Sequence, residues 1–186
     1  ASSASGQFYG MGVLQDPNLD VHTMDVDSAV VLADKKFGFI NHTSPDLDAF
    51  IQRGGKLIMY HGWDDPSITA MNSIEYYDSV VKRMQEKRNL KSNEAALTET
   101  QKFARLFLVP GMQHCGGGTN AADTFDAVGI LDQWVDHRVA PDKIIASSHA
   151  EPAFTRPLCP FPEEARYNGS GDRANASNWK CAATRP

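Results

Sequence analysis

The sequence predicts an α/β domain with a mostly parallel sheet and flanking helices. Short apolar runs bounded by glycine or proline recur at 56–62, 102–109 and 143–148. Segments with apolar residues at helical spacing lie between them. Alternating helix and strand in this way is the grammar of parallel strands joined by helical crossovers.

The elements follow in order. Residues 1–25 carry Gly, Ser and Asp-Pro signals and read as loop. DSAVVLADKKF reads as a short helix capped by Asp27 or Ser28, whose side-chain oxygens can accept from the free N–H groups of a first turn. SPDLDAFIQRGG predicts a second helix, with Ser44 as cap, Pro45 in the first turn and Gly54-Gly55 as the stop. KLIMYHG is the first strand. From Ser67 to about Lys87, Ile68, Met71, Ile74, Tyr77, Val81 and Met84 recur at helical spacing. Residues 88–101 are polar and read as loop or ragged helix. KFARLFLV is the second strand, Asp123–Arg138 a helix with Phe125, Val128, Leu131 and Trp134 on one face, and KIIASS the third strand. The tail from Glu151, rich in Pro, Gly, Asn and Ser, reads as a loop-rich extension.

Composition narrows the classes. The chain has 186 residues, 41% of them hydrophobic, enough for one core. A net charge of −5 gives no reason to expect nucleic acid or an anionic membrane as partner. No apolar run approaches the ~20 residues a membrane span requires. Three sequons, at Asn41, Asn168 and Asn175, hint at glycosylation and export. Three cysteines, at 115, 159 and 181, leave an odd thiol in an oxidising compartment.

Functional loops of parallel sheets gather at the carboxyl ends of the strands. Two strands here end in HGWDDP and PGMQHCGGG. An imidazole can accept and return a proton, so His114 can act as a general base if a carboxylate holds its other ring nitrogen. Asp64 and Asp65 are the candidate suppliers. On residue types alone a plainer reading also stands, in which His114 caps a turn and Asp65 caps the helix beginning near Pro66. His61 ends its strand and reads as a structural histidine. His61, His114 and Cys115 lack the close-spaced pairs of a zinc site. Asp16, Asp20, Asp25 and Asp27 lack the EF-hand spacing.

HGWDDP and VPGMQHCGGG, in this order, resemble the tannase/feruloyl esterase family of α/β-hydrolases. The lead-in INHTSPDLDAFIQRGGKLIMYHG and the tail RPLCPFPEEARYNGSGD with NWKC resemble it too. The resemblance implies hydrolysis of esters of aromatic acids such as gallate, ferulate or terephthalate half-esters. It implies Asp65 as the acid and His114 as the base of a Ser-His-Asp triad. Trp63 is expected to line the acyl pocket, since aromatic substrates favour aromatic walls. No organic cofactor or metal is implied here. The family's calcium site lies in a lid whose acidic loop falls upstream of these residues.

The sequence departs from the family in one respect. It contains no G-x-S-x-G and no cysteine-serine pair. In the family the nucleophilic serine follows a cysteine that forms a disulfide with the one after the catalytic histidine, so the resemblance pairs Cys115 with a cysteine outside this chain. On the same resemblance Cys159 and Cys181 pair with each other. The expectation is the carboxyl-terminal part of a secreted esterase. Residues 1–25 would end the lid, 26–150 carry acid and base, and 151–186 form a disulfide-stapled extension. An N-terminal companion segment or chain would be its partner, and the chain alone would be inactive. The alternative is a non-catalytic subunit or binding module of the same fold.

Overall fold

A computed structural model of the chain describes residues 4–118 and 120–183. The chain divides into two compact units, Ala1–Ser44 and Pro45–Pro186.

The first unit is helical where loop was expected. Helix α1 (Ala4–Gln7) runs into a π-helical turn, Phe8–Leu14. Gly10 and Gly12 read as breakers in the sequence, but the wide turn brings Gly10 against the Asp16 carbonyl, where an added Cβ would lie 3.0 Å from it. Val13 is fully buried. Helix α2 (Val26–Phe37) starts two or three residues earlier than the DSAVV pattern suggests, because Asp25 is the cap: its carboxylate accepts from the Ser28 amide at 3.4 Å and the Ser28 hydroxyl at 2.6 Å. Lys36 Nζ donates to the Val13 carbonyl at 2.6 Å, and the rings of Phe8 and Phe37 pack 5.4 Å apart.

The second unit carries the sheet elements. Helix α3 (Asp48–Gln52) begins later than the Ser44 cap predicts, with the Asp48 amide donating to Asp46 Oδ1 at 3.1 Å. Gly54, at φ +77°, ends it. Strand β1 (Leu57–Gly62) follows, then α4 (Ala70–Lys87), α5 (Asn93–Thr100) and β2 (Ala104–Val109). The polar stretch before β2 holds a formed helix. Ser92 Oγ caps it by accepting from the Ala95 amide, and Ala96 and Thr100 are fully buried. Its buried face consists of small residues, which leave little hydrophobic pattern to read.

Strands β1 and β2 pair in parallel, Leu57 opposite Ala104 through Gly62 opposite Val109. Alternation along β2 sends Leu106 into a core with Tyr77 and Met84 of α4, and sends Phe107 and Val109 into a second core with Ile144 and Leu158. The Tyr77 hydroxyl donates to the Ala104 carbonyl at 3.0 Å, fixing α4 to β2.

The expectation of a mostly parallel sheet needs correction. After α6 (Ala127–Asp136), strand β3 (Ile144–Ser147) pairs antiparallel with β4 (Thr155–Leu158). The seven-residue connection between them is too short for a parallel crossover. An antiparallel bridge from Phe107 to Pro160 links this pair to β2, so β3 runs in the same direction as β2. The tail, expected to be loop-rich, also carries strands. It contains β4, β5 (Glu163–Tyr167) and β6 (Trp179–Ala183), the last two forming an antiparallel hairpin. A disulfide joins Cys159 to Cys181 with Cα atoms 5.5 Å apart.

Candidate active site

The carboxyl ends of β1 and β2 are joined beyond the ladder. The Trp63 amide donates to the Val109 carbonyl and the Asp64 amide to the Met112 carbonyl, each at 3.0 Å. This approach requires glycine at the junction. A Cβ on Gly62 would lie 2.1 Å from the Met112 carbonyl oxygen. The loop after β2 then turns back sharply through left-handed residues. Cys115 sits at φ +60°, followed by Gly116, Gly117 and Gly118, all at positive φ. A Cβ on Gly118 would lie 1.9 Å from the Gly111 carbonyl. Asp123 Oδ2 accepts from the Gly117 amide at 2.6 Å and braces the turn from outside. The glycines therefore shape a turn that presents His114.

The two loops bring Asp65 and His114 together. His114 Nδ1 donates to Asp65 Oδ2 at 2.8 Å. The Asp65 side chain is 4% exposed and that of His114 is 52% exposed, so one ring edge faces outward. Asp65 Oδ1 accepts from the Ser67 and Ile68 amides at 2.8 and 2.9 Å. The Ile68 amide, above all, holds the Asp65 carboxyl far below its ordinary value; His114 and the Ser67 amide add to this, and desolvation opposes it. A carboxylate that stays ionised across the working pH range can fix His114 with its proton on Nδ1. Nε2 is then free to accept a proton, which is what a general base requires.

His61 stands beside the pair. Its Nε2 donates to the Ile68 carbonyl at 2.9 Å and lies 3.3 Å from Asp65 Oδ2, while its Nδ1 is 2.7 Å from Ser73 Oγ on α4. A hollow of about 270 Å³ lies over the pair, walled by Tyr60, Ile68, Met112 and Cys115. Among the described residues, no serine or threonine lines it.

Of the other candidates, Cys115 borders the hollow and the rest lie away from it. Asp64 is exposed, and the cap of α4 is Thr69, whose hydroxyl accepts from the Met71 amide. Trp63 does not line the hollow. Its ring lines a separate cavity of about 180 Å³ with Leu108, Pro110 and Phe161. Cys115 carries an exposed free thiol. Asn41, Asn168 and Asn175 are exposed. Sequence reasoning missed Ser73 and Asp123. Neither belongs to a motif, and each reaches the site only through the packing of its element.

The chain is similar to several known proteins. Residues 5–182 match the family described as tannase and feruloyl esterase. The mono(2-hydroxyethyl) terephthalate hydrolase of Piscinibacter sakaiensis is 44% identical over 146 residues, covering 76% of this chain and 22% of the relative. Feruloyl esterase C of Talaromyces stipitatus is 31% identical over 195 residues, covering 95% of this chain and 35% of the relative. The crystal structure of feruloyl esterase B from Aspergillus oryzae superposes with a TM-score of 0.74 at 28% identity, over 96% of this chain and 37% of that one. The chain thus spans no more than about a third of these relatives' length. Among the described residues, no helix is long and apolar enough to cross a membrane. The chain belongs to the tannase and feruloyl esterase family.

Proposed function

We propose that these residues supply the acid and base of a serine carboxylic ester hydrolase acting on esters of aromatic acids. The observation that supports this best is the 2.8 Å bond from His114 Nδ1 to a carboxylate held ionised, with the far ring edge open to a hollow. The attacking hydroxyl comes from a serine outside this chain. His114 Nε2 takes the hydroxyl proton as oxygen attacks the ester carbonyl, and Asp65 stabilises the resulting imidazolium. The proton then passes to the leaving alcohol. Water repeats the sequence on the acyl-enzyme and regenerates the serine. No organic cofactor enters these steps.

Cys115 ties the base loop to the nucleophile loop through a disulfide to a cysteine outside this chain. A bridge beside His114 limits the separation of a hydroxyl and an imidazole that must stay within ~3 Å. The aromatic acyl class is carried over from relatives named for terephthalate and feruloyl esters. Export suits both the disulfide and the exposed sequons.

The test compares the 186-residue chain with a longer polypeptide that includes the upstream segment. The chain alone is expected to leave methyl ferulate and methyl gallate intact and to resist a fluorophosphonate probe. The longer form is expected to hydrolyse one of them and take the probe, with turnover falling ~10⁴-fold in Asp65→Asn, as in other triads. Turnover by the short chain, or full activity of the longer form carrying His114→Ala, would refute the reading.

A second reading, a non-catalytic binding module, is favoured by the hollow's walls, which among the described residues include no serine or threonine. A longer form that fails to take the probe would support it.

A further inference from the structure

We infer that His61, itself oriented by Ser73, is a positioning residue that fixes Asp65 for its bond to His114. The role in turnover rests on the esterase reading above, but the geometry and its test do not.

The argument starts from the Ile68 carbonyl, which can only accept. At 2.9 Å from it, His61 Nε2 must carry a proton. In the neutral ring Nδ1 is then an acceptor, and the Ser73 hydroxyl 2.7 Å away is its donor. Ser73 is fixed on the first turns of α4, so the helix sets the tautomer and the plane of His61. The same Nε2–H lies 3.3 Å from Asp65 Oδ2, the oxygen that also accepts from His114.

The peptide of Ile68 is therefore held on both sides. Its N–H donates to Asp65 Oδ1 and its C=O accepts from His61. Residues 65–68 close on themselves, with His61 as the clasp. Without the clasp the Ile68 carbonyl loses its donor and the turn can open. The carboxylate could then rotate about its last bond and release His114 Nδ1. The His61 side chain is only 14% exposed, so water could replace these contacts only by entering the turn.

The experiment uses the 186-residue chain labelled with ¹⁵N-histidine, and reads the His114 tautomer and its Nδ1 proton by NMR. His114→Ala assigns the signals. In the wild type, His114 is expected as the Nδ1–H tautomer with a far-downfield, hydrogen-bonded proton. Ser73→Ala and His61→Phe are expected to lose that resonance and shift His114 toward the Nε2–H tautomer. Ser73→Thr retains the hydroxyl and should retain the resonance. His61→Gln places an amide N–H near the position of Nε2 and should restore it. A purely structural His61 would lower the melting temperature in Ser73→Ala while leaving the His114 signals unchanged, and that result overturns the inference. Should His61→Phe fail to fold, Ser73→Ala still decides. A wild type without the locked Nδ1–H tautomer also overturns it. A locked wild type whose longer form lacks esterase activity leaves the positioning intact and removes the esterase reading instead.

Discussion

Asp65 accepts from two backbone amides and from His114, and His61 Nε2 lies 3.3 Å from its Oδ2. Unfolded, it would titrate near its ordinary 3.8; folded, its value lies well below that. Above the ordinary value the carboxylate is ionised in both states, and these hydrogen bonds contribute to stability in full. As pH falls through that value the unfolded chain binds the proton first. Folding stability therefore drops with acid until the folded carboxyl titrates too. Urea unfolding from pH 6 to pH 2.5 should show a steeper acid loss in the wild type than in Asp65→Asn, whose stability deficit should narrow as pH falls. Parallel profiles would refute the ionised, hydrogen-bonded carboxylate. At this scale the strand-and-turn pattern points to the loops that hold Asp64, Asp65 and His114, and the choice of Asp65 over Asp64 comes from the family resemblance. Trp63 lines a different cavity from the carboxylate two residues on. Ser73 is illegible in the sequence. A serine on a helix acquires its role only when α4 packs against the end of β1.

At the scale of elements, the junction of β1 with its loop depends on one glycine. Gly62 lies opposite Val109 at the end of the ladder, and a methyl there would meet the Met112 carbonyl at 2.1 Å and the Gln113 carbonyl at 2.7 Å. Both are backbone atoms, so relief requires the loops to separate. Gly62→Ala should destabilise the chain by about 1–3 kcal/mol, the range of forced overpacking, and should weaken the His114 to Asp65 bond. Gly38→Ala is the control. Nothing lies within 4 Å of its Cβ position and its φ is −54°, so alanine there should be neutral or stabilising by up to about 1 kcal/mol. Chemical denaturation of both variants checks the contrast, and equal effects would remove the close-approach argument. Sequence pattern fares unevenly here for physical reasons. Helix α4 is legible because Ile74, Tyr77, Val81 and Met84 form a buried stripe. Its start is not, since Asp65 engages the Ser67 and Ile68 amides in a turn and defers the helix to Ala70. Strand β3 is legible as a strand but not as antiparallel, because partner and direction depend on a tail strand containing Pro157 that resembles loop.

For the molecule as a whole, the tail is held by β3–β4 pairing, by Leu158 in the second core and by the disulfide, and the disulfide is the one that can be removed cleanly. Cys159 follows β4 directly and Cys181 lies in the middle of β6, so the bridge fastens the β5–β6 hairpin to the edge of the second core. The composition of the tail, with its prolines and glycines, hides three strands that would be marginal as isolated hairpins. The covalent link, with a sequence separation of 22, constrains the unfolded chain as well as the folded one. Closing a loop of that size is worth about 3 kcal/mol, so the double variant Cys159→Ser/Cys181→Ser should lose roughly that much in denaturant unfolding. Cys115→Ser serves as the control, because its thiol is exposed and unpaired; the change should stay within about 0.5 kcal/mol, as for surface substitutions. Thiol titration of the unfolded, unreduced chain should find one free thiol. If the double variant matches the wild type in stability, the hairpin is held by its own packing against β4 and the bridge is incidental. If Cys115→Ser proves the more costly change, its sulfur has a structural role in the left-handed turn beside His114.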